Sequence, residues 1–281
     1  MAIQWPLLIF SVFLGISSGM MIFVGIGEIK GRFKEVRVAA AVIALVLLIA
    51  GGCASALHLG HPERALHILG NAGSGLSREL FAVGAMAIVT FVYAIVAKKE
   101  FDGAAKVFGG IALVVGVVLP LVAGASYLMA ARPVWDSPAL PVMYLGTGLG
   151  MGFAAMACLV LAKGSREDAS FATKLALFGV AAMVLSALAY IAWIALAPHQ
   201  ADSRSIMRLV SGDLALCFWL GVVVLEIVAP VALAFMAHKG ASDVRRAATY
   251  MGAAFACSLA GGVALRAIMY LMATSVESFI Y

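Results

Sequence analysis

Long apolar runs alternate with short polar breaks along the whole chain. The runs cover approximately residues 5–28, 36–59, 79–97, 106–130, 139–162, 171–197, 213–237 and 248–275. About 20 apolar residues let an α-helix cross the hydrocarbon core, so each run predicts one transmembrane helix with some room for tilt. The breaks are too short for a soluble domain. The pattern predicts an all-α fold, an integral membrane bundle of eight transmembrane helices, as a single polytopic domain over 1–281. The count also permits two four-helix halves of like orientation, about 1–132 and 133–281, although no internal repeat is visible.

Composition agrees with lipid as the solvent. Only 12% of the residues are charged, against roughly 25% in soluble domains, and the mean hydropathy is +1.08. The net charge of +5 is then a topology signal and no footprint of nucleic-acid binding. Lys30, Arg32, Lys34, Arg37, Lys98, Lys99, Lys106, Lys163, Arg166, Lys174, Lys239, Arg245 and Arg246 all fall at the odd-numbered connections. Only Arg64, Arg78, Arg132, Arg204 and Arg208 fall at the even-numbered ones. By the positive-inside rule the odd connections are cytoplasmic and both termini are outside. The opening MAIQWPLLIF lacks the basic segment of a cleaved signal and reads as the start of the first span.

Small residues crowd GTGLGMGFAAM in the fifth run and MGAAFACSLAGG in the eighth, which predicts close helix packing in lipid. Cys53, Cys158, Cys217 and Cys257 lie singly inside apolar runs. They form no iron–sulfur ligand set and no disulfide framework. The histidines gather near helix ends and not in facing pairs within the bundle, which argues against haem. No metal-ligand set is apparent.

Polar chemistry concentrates in HLGHPERALHILGNAGSGLSRE, residues 58–79. His61 precedes Pro62, so the second helix should end near Gly60 and leave His58 in its last turn. Ser77 is the expected N-cap of the third helix, with Arg78 and Glu79 in its first turn. A helix-end role explains each alone, since the dipole favours an acid at the start and a cation at the end. Together they place an imidazole and a carboxylate at one membrane depth, as the oxidation of a two-proton redox substrate requires. Arg266, with Tyr270 one turn on, falls near the same depth of the last helix. A charge inside a span should face the bundle or a cavity. Glu226 lies mid-span in the seventh run, as part of a proton route or as a neutral acid bonded to a neighbouring helix. Glu28 is expected as a solvated helix terminus.

The stretch His58-Leu59-Gly60, Pro62, Arg64-Ala65, Leu76-Ser77 and Glu79 resembles the membrane anchor subunits of dimethyl sulfoxide reductase-type complexes. WPLLIFSVF, PVWDSPALP and the Arg266/Tyr270 pair extend the similarity over nearly the whole chain. The resemblance implies an eight-helix, multi-pass anchor in the bacterial cytoplasmic (inner) membrane that oxidises menaquinol. Its implied partners are the lipid bilayer, an iron–sulfur electron-transfer subunit and a molybdopterin catalytic subunit, with no haem or iron–sulfur cluster in the anchor itself. It also implies quinol use by His58 and Glu79, and Arg64, Ser77, Arg78, Arg266 and Tyr270 are the residues expected to bind the head group. One departure is Gly262, where members often carry an acid four residues before the arginine. Competing expectations are a secondary transporter, a purely structural anchor, or the same chemistry run toward quinone reduction. Inverted halves and broken helices, the marks of many transporters, are not evident.

Overall fold

The computed structural model describes residues 3–56, 73–163, 166–197 and 200–273, and no strand occurs among them. The elements are α1 (Trp5–Lys30), α2 (Arg37–Ala56), α3 (Gly75–Lys98), α4 (Asp102–Ala125), α5 (Ala139–Ala162), α6 (Arg166–Leu196) and α7 (Gln200–Val210). A π-helical segment (Cys217–Val228) then continues as α8 (Ala229–Lys239), and α9 (Val244–Leu271) follows. Eight of the resulting helices are long and apolar enough to cross a membrane, in agreement with the hydropathy pattern.

The inner helices are α1 and α5. Gly15 and Gly19 face Gly148 and Gly152, two pairs at a spacing of four that align on one helix face. A methyl group at Gly19 would run into the carbonyl oxygen of Gly148, and one at Gly152 would stand 2.5 Å from the Cα of Gly19. Lipid offers no hydrophobic drive for this contact, so close backbone approach supplies the packing energy. Gly19→Ala is expected to cost about 1–3 kcal/mol by overpacking, read as a lower thermal midpoint in detergent.

Three departures from the sequence pattern have local causes. The N-cap of α3 is Ser74, not Ser77: Ser74 Oγ accepts from Ser77 N at 3.0 Å. Glu79 therefore sits in the second turn, beyond the reach of the helix-end dipole. The amphipathic α7 went unpredicted because it is short and too polar to span. It is anchored by Leu209, by Ser205 Oγ donating to Met272 O at 2.8 Å, and by Arg208 Nη1 donating to Leu271 O at 3.0 Å. Arg208 also holds the exposed Asp213 carboxyl below its usual range through a 2.7 Å ion pair, a contribution lost as the pH falls through that lowered value.

The third departure is the π-helical half of the seventh span. Pro230 has no N–H to give the carbonyl four residues back, which is that of Glu226. The ladder instead widens, with Ala229 N bonding Val224 O five residues earlier. Such segments often mark functional sites.

At the lysine-rich end, Glu28 is not a solvated terminus but is buried and bonded. Tyr93 donates to Glu28 Oε1 at 2.7 Å, and Arg37 Nη1 approaches the same oxygen at 3.4 Å. Arg37 also reaches Asp102 Oδ1 at 3.0 Å and Ala97 O at 3.2 Å, while Lys34 pairs with Asp102 at 2.6 Å. The network ties α1, α2, α3 and α4 together. Hydropathy cannot reveal it, because burial at a helix end depends on what packs there. Glu28→Gln is expected to cost about 2 kcal/mol through loss of charge-assisted hydrogen bonds. Activity at the opposite end of the bundle should be unchanged, as paired melting and turnover assays would show.

Candidate quinol site

The end of the bundle opposite the lysine-rich one gathers side chains from α3, the α4–α5 connection, α5 and α9. Glu79 lies on the inward stripe of α3 that continues through Met86, Thr90 and Tyr93, and is 9% exposed. Ser126, just past α4, stands within hydrogen-bonding reach of its carboxyl. The carboxyl also acts electrostatically on Tyr127, Tyr144 and Tyr270, so the three phenols belong to the same end of the bundle.

The phenols form one cluster. Tyr127 and Tyr270 share a 2.6 Å hydrogen bond between their hydroxyls. The Tyr127 ring lies 5.8 Å from that of Tyr144 and 5.6 Å from that of Trp135. Trp135 is fixed by its Nε1 donating to Met269 O at 2.9 Å, and Arg132 covers its ring at 5.0 Å while donating to Ala273 O. Burial, with Tyr144 and Tyr270 nearby, pushes the Tyr127 phenol well above its ordinary range. It is a hydroxyl donor throughout the physiological range.

Arg266 closes the floor of the cluster. It is 1% exposed, and its guanidinium carbon sits 3.4 Å from the Tyr144 ring centroid. Its Nη2 donates to Thr147 Oγ1 at 2.8 Å and its Nη1 to Met143 Sδ at 2.9 Å. A stacked, forked guanidinium fits here where a lysine ammonium would not. Its charge supplies the polarising field that a head group losing electrons and protons would meet. Glu226 is fully buried one layer deeper, and Arg266 is the cation that acts on it.

Glu79, Arg266 and Tyr270 are thus brought together, with Glu226 behind them. Ser77 is also buried, but its 2.7 Å contact with Ser74 places it in the cap of α3. Arg78 is exposed and donates to Gly73 O at 2.9 Å, on the outer side of the helix start. His58 and Arg64 lie outside the described residues. Ser126, Tyr127, Trp135, Tyr144 and Thr147 are members that the sequence pattern did not single out. Trp135 lies within the PVWDSPALP stretch, and the aromatic-rich connection between the fourth and fifth runs was the available signal.

Comparison with known proteins agrees with this architecture. A segment of 92 residues, 29% of the sequence, is 40% identical to the C subunit of the anaerobic dimethyl sulfoxide reductase of Escherichia coli (strain K12). The match spans 32% of that relative. A family model described as DMSO reductase anchor subunit matches residues 1–272. With eight membrane-crossing helices and a family match over nearly its whole length, the protein belongs to the DMSO reductase anchor subunit family.

Proposed function

We propose that this protein anchors a molybdopterin reductase to the bacterial cytoplasmic membrane and oxidises menaquinol at the Glu79 end of the bundle. Its electrons pass to an iron–sulfur subunit docked at that end. The observation that carries the reading is the buried Glu79 carboxyl beside Ser126, at the end of the bundle where the hydrogen-bonded phenols of Tyr127 and Tyr270 and the Tyr144 ring lie above the Arg266 guanidinium. A lipid-soluble quinol that enters between helices meets a base, two hydroxyls to orient its oxygens and a fixed positive charge.

Oxidation removes two electrons and two protons from the quinol. The Glu79 carboxylate accepts one proton and His58 accepts the other, while the electrons leave for the iron–sulfur cluster of the partner. The linked hydroxyls of Tyr127 and Tyr270 hold the head group, and Arg266 stabilises negative charge as the quinol oxygen loses its proton. The positive-inside rule puts the lysine-rich end in the cytoplasm, so the site and the docked subunits are periplasmic. Protons and electrons then leave on one side, and turnover carries no net charge across the membrane.

The test compares two electron donors on the complete complex. A menaquinol analogue must use this subunit, whereas a reduced viologen dye feeds the catalytic subunits directly. Tyr127→Phe keeps the ring packing but removes the hydroxyl. It is expected to raise the quinol KM by roughly fivefold to tenfold, the worth of one neutral hydrogen bond, with the dye-driven rate unchanged. Equal quinol kinetics in Tyr127→Phe and wild type would remove Tyr127 from head-group binding.

A further inference from the structure

Between the middle of the bundle and the Glu79 cluster, Glu226, Ser258 and Arg266 are among the buried side chains whose polar atoms no described group satisfies. Neither carboxyl oxygen of Glu226, nor Ser258 Oγ, nor Arg266 Nε has a hydrogen-bond partner among the described residues. All three side chains are at least 99% buried. They are arranged along one stretch of α9. Gly261 lies directly against Glu226, since a methyl there would stand 2.5 Å from Glu226 Cβ and 2.6 Å from its Cα and N. Ser258 is three residues from Gly261 toward the lysine-rich end, and Arg266 is five residues toward Glu79. At 1.5 Å per residue these steps are about 4.5 and 7.5 Å.

Unsatisfied polar atoms at hydrocarbon depth are costly, and several converging on one short stretch are the usual lining of a hydrated pocket. Each buried water needs two to four polar partners, which this trio provides. The same level holds the end of the π-helical segment at Val228, just before Pro230. Toward the Glu79 end, the Arg266 guanidinium meets the Tyr144 ring, whose centroid lies 5.8 Å from that of Tyr127. Toward the lysine-rich end, the described inward positions of α9 past Ser258 are Ala254, Met251 and Ala247. That face of α9 is apolar toward the lysine-rich end and polar toward Arg266.

We propose that Glu226, Ser258 and Arg266 enclose a water-holding proton site that receives, through the tyrosine cluster, the proton Glu79 takes from the quinol. The inference rests on the reading of Glu79 as the quinol base. In this step the Glu79 carboxylic acid returns to carboxylate and the Glu226 carboxylate becomes the acid, with water and tyrosine hydroxyls each passing on one proton as they take another. Arg266 stays charged and holds the water, since a guanidinium cannot act as a proton carrier. The gain is that the proton is held away from the quinone oxygens while the product is still bound, so the transfer to Glu79 does not reverse. The stored proton returns by the same path when the quinone leaves and passes from Glu79 to the outer side, so net turnover remains electrically silent.

The experiment uses the complete complex in membranes. Redox-difference infrared spectra are taken in H2O and D2O with a bound menaquinol analogue, beside turnover driven by quinol and by viologen dye. Oxidation should produce a deuterium-sensitive carboxylic acid band that is absent from Glu226→Gln. Quinol-driven turnover of that variant should fall roughly a hundredfold, the lower range for a positioned proton acceptor, with dye-driven turnover intact. A Glu226→Gln complex with the wild-type spectrum and quinol rate overturns the proposal. If Glu79→Gln abolishes quinol turnover while Glu226→Gln is normal, this inference alone falls. If Glu79→Gln is without effect, the reading of the quinol site falls with it. Should Glu226→Gln also lose dye-driven turnover through misassembly, Ser258→Ala decides. Removing that hydroxyl must shift the carboxylic acid band, and an unshifted band overturns the proposal.

Discussion

Glu79→Gln is expected to lower quinol-driven turnover of the complete complex by about 10²–10⁴-fold while dye-driven turnover stays at the wild-type level. The amide keeps the size of the side chain beside Ser126, so the packing of α3 against the α4–α5 connection survives. It cannot accept a proton from the quinol. Loss falling on kcat with little change in KM marks a proton acceptor, because the interaction is made mainly in the transition state. A rise in KM alone would instead mark a group that only holds the head group. If both donors drive wild-type rates, Glu79 is no part of the reaction, and the reading of the site fails.

Arg266→Met should have the largest effect on stability. Methionine fills much of the same space but removes the guanidinium from the Tyr144 face, from Thr147 Oγ1 and from Met143 Sδ. It also leaves the fully buried Glu226 without its neighbouring cation. Losing the charge-assisted hydrogen bond to Thr147 and the desolvated stack on Tyr144 costs about 3–5 kcal/mol together, which for a protein of this size is roughly 6–20 °C in Tm. Arg266→Lys restores the charge but neither the fork nor the stack, so it should recover only part of the loss. A pairing of Arg266→Met with Glu226→Gln should cost less than the sum of the two, the signature of coupled groups. Strict additivity in thermal melts of the purified complex would show that the two do not interact.

The corrections made by the structure share one physical origin. Glu28 and Glu79 look alike in the sequence, each an acid at the edge of an apolar run. Glu28 is bonded by Tyr93 and Arg37 from helices more than sixty residues distant in one case and only nine away in the other, a combination that no local pattern encodes. Ser74 and Ser77 are both chemically competent N-caps, and the backbone geometry decides between them through one 3.0 Å hydrogen bond. The helix α7 was invisible because hydropathy registers only stretches long enough to cross lipid.

What the sequence by itself determined is the architecture. Eight apolar runs, each too long for any other fate in a membrane, specify eight spans, and the placement of lysine and arginine assigns an expected orientation. The unusual polar residues Glu79, Glu226, Arg266 and Tyr270 were equally plain, because a charge or phenol at membrane depth is expensive and stands out against its surroundings. Only the tertiary structure decided which of these residues meet. The three-phenol cluster, Trp135 locked to Met269 O and the Arg266 stack on Tyr144 join segments separated by more than a hundred residues. Helix rotation and depth set those encounters, and both are set by glycine contacts such as Gly19 on Gly148 and Gly261 on Glu226. A span's hydropathy is the same at every rotation, so the faces that build the site appear only when the helices pack.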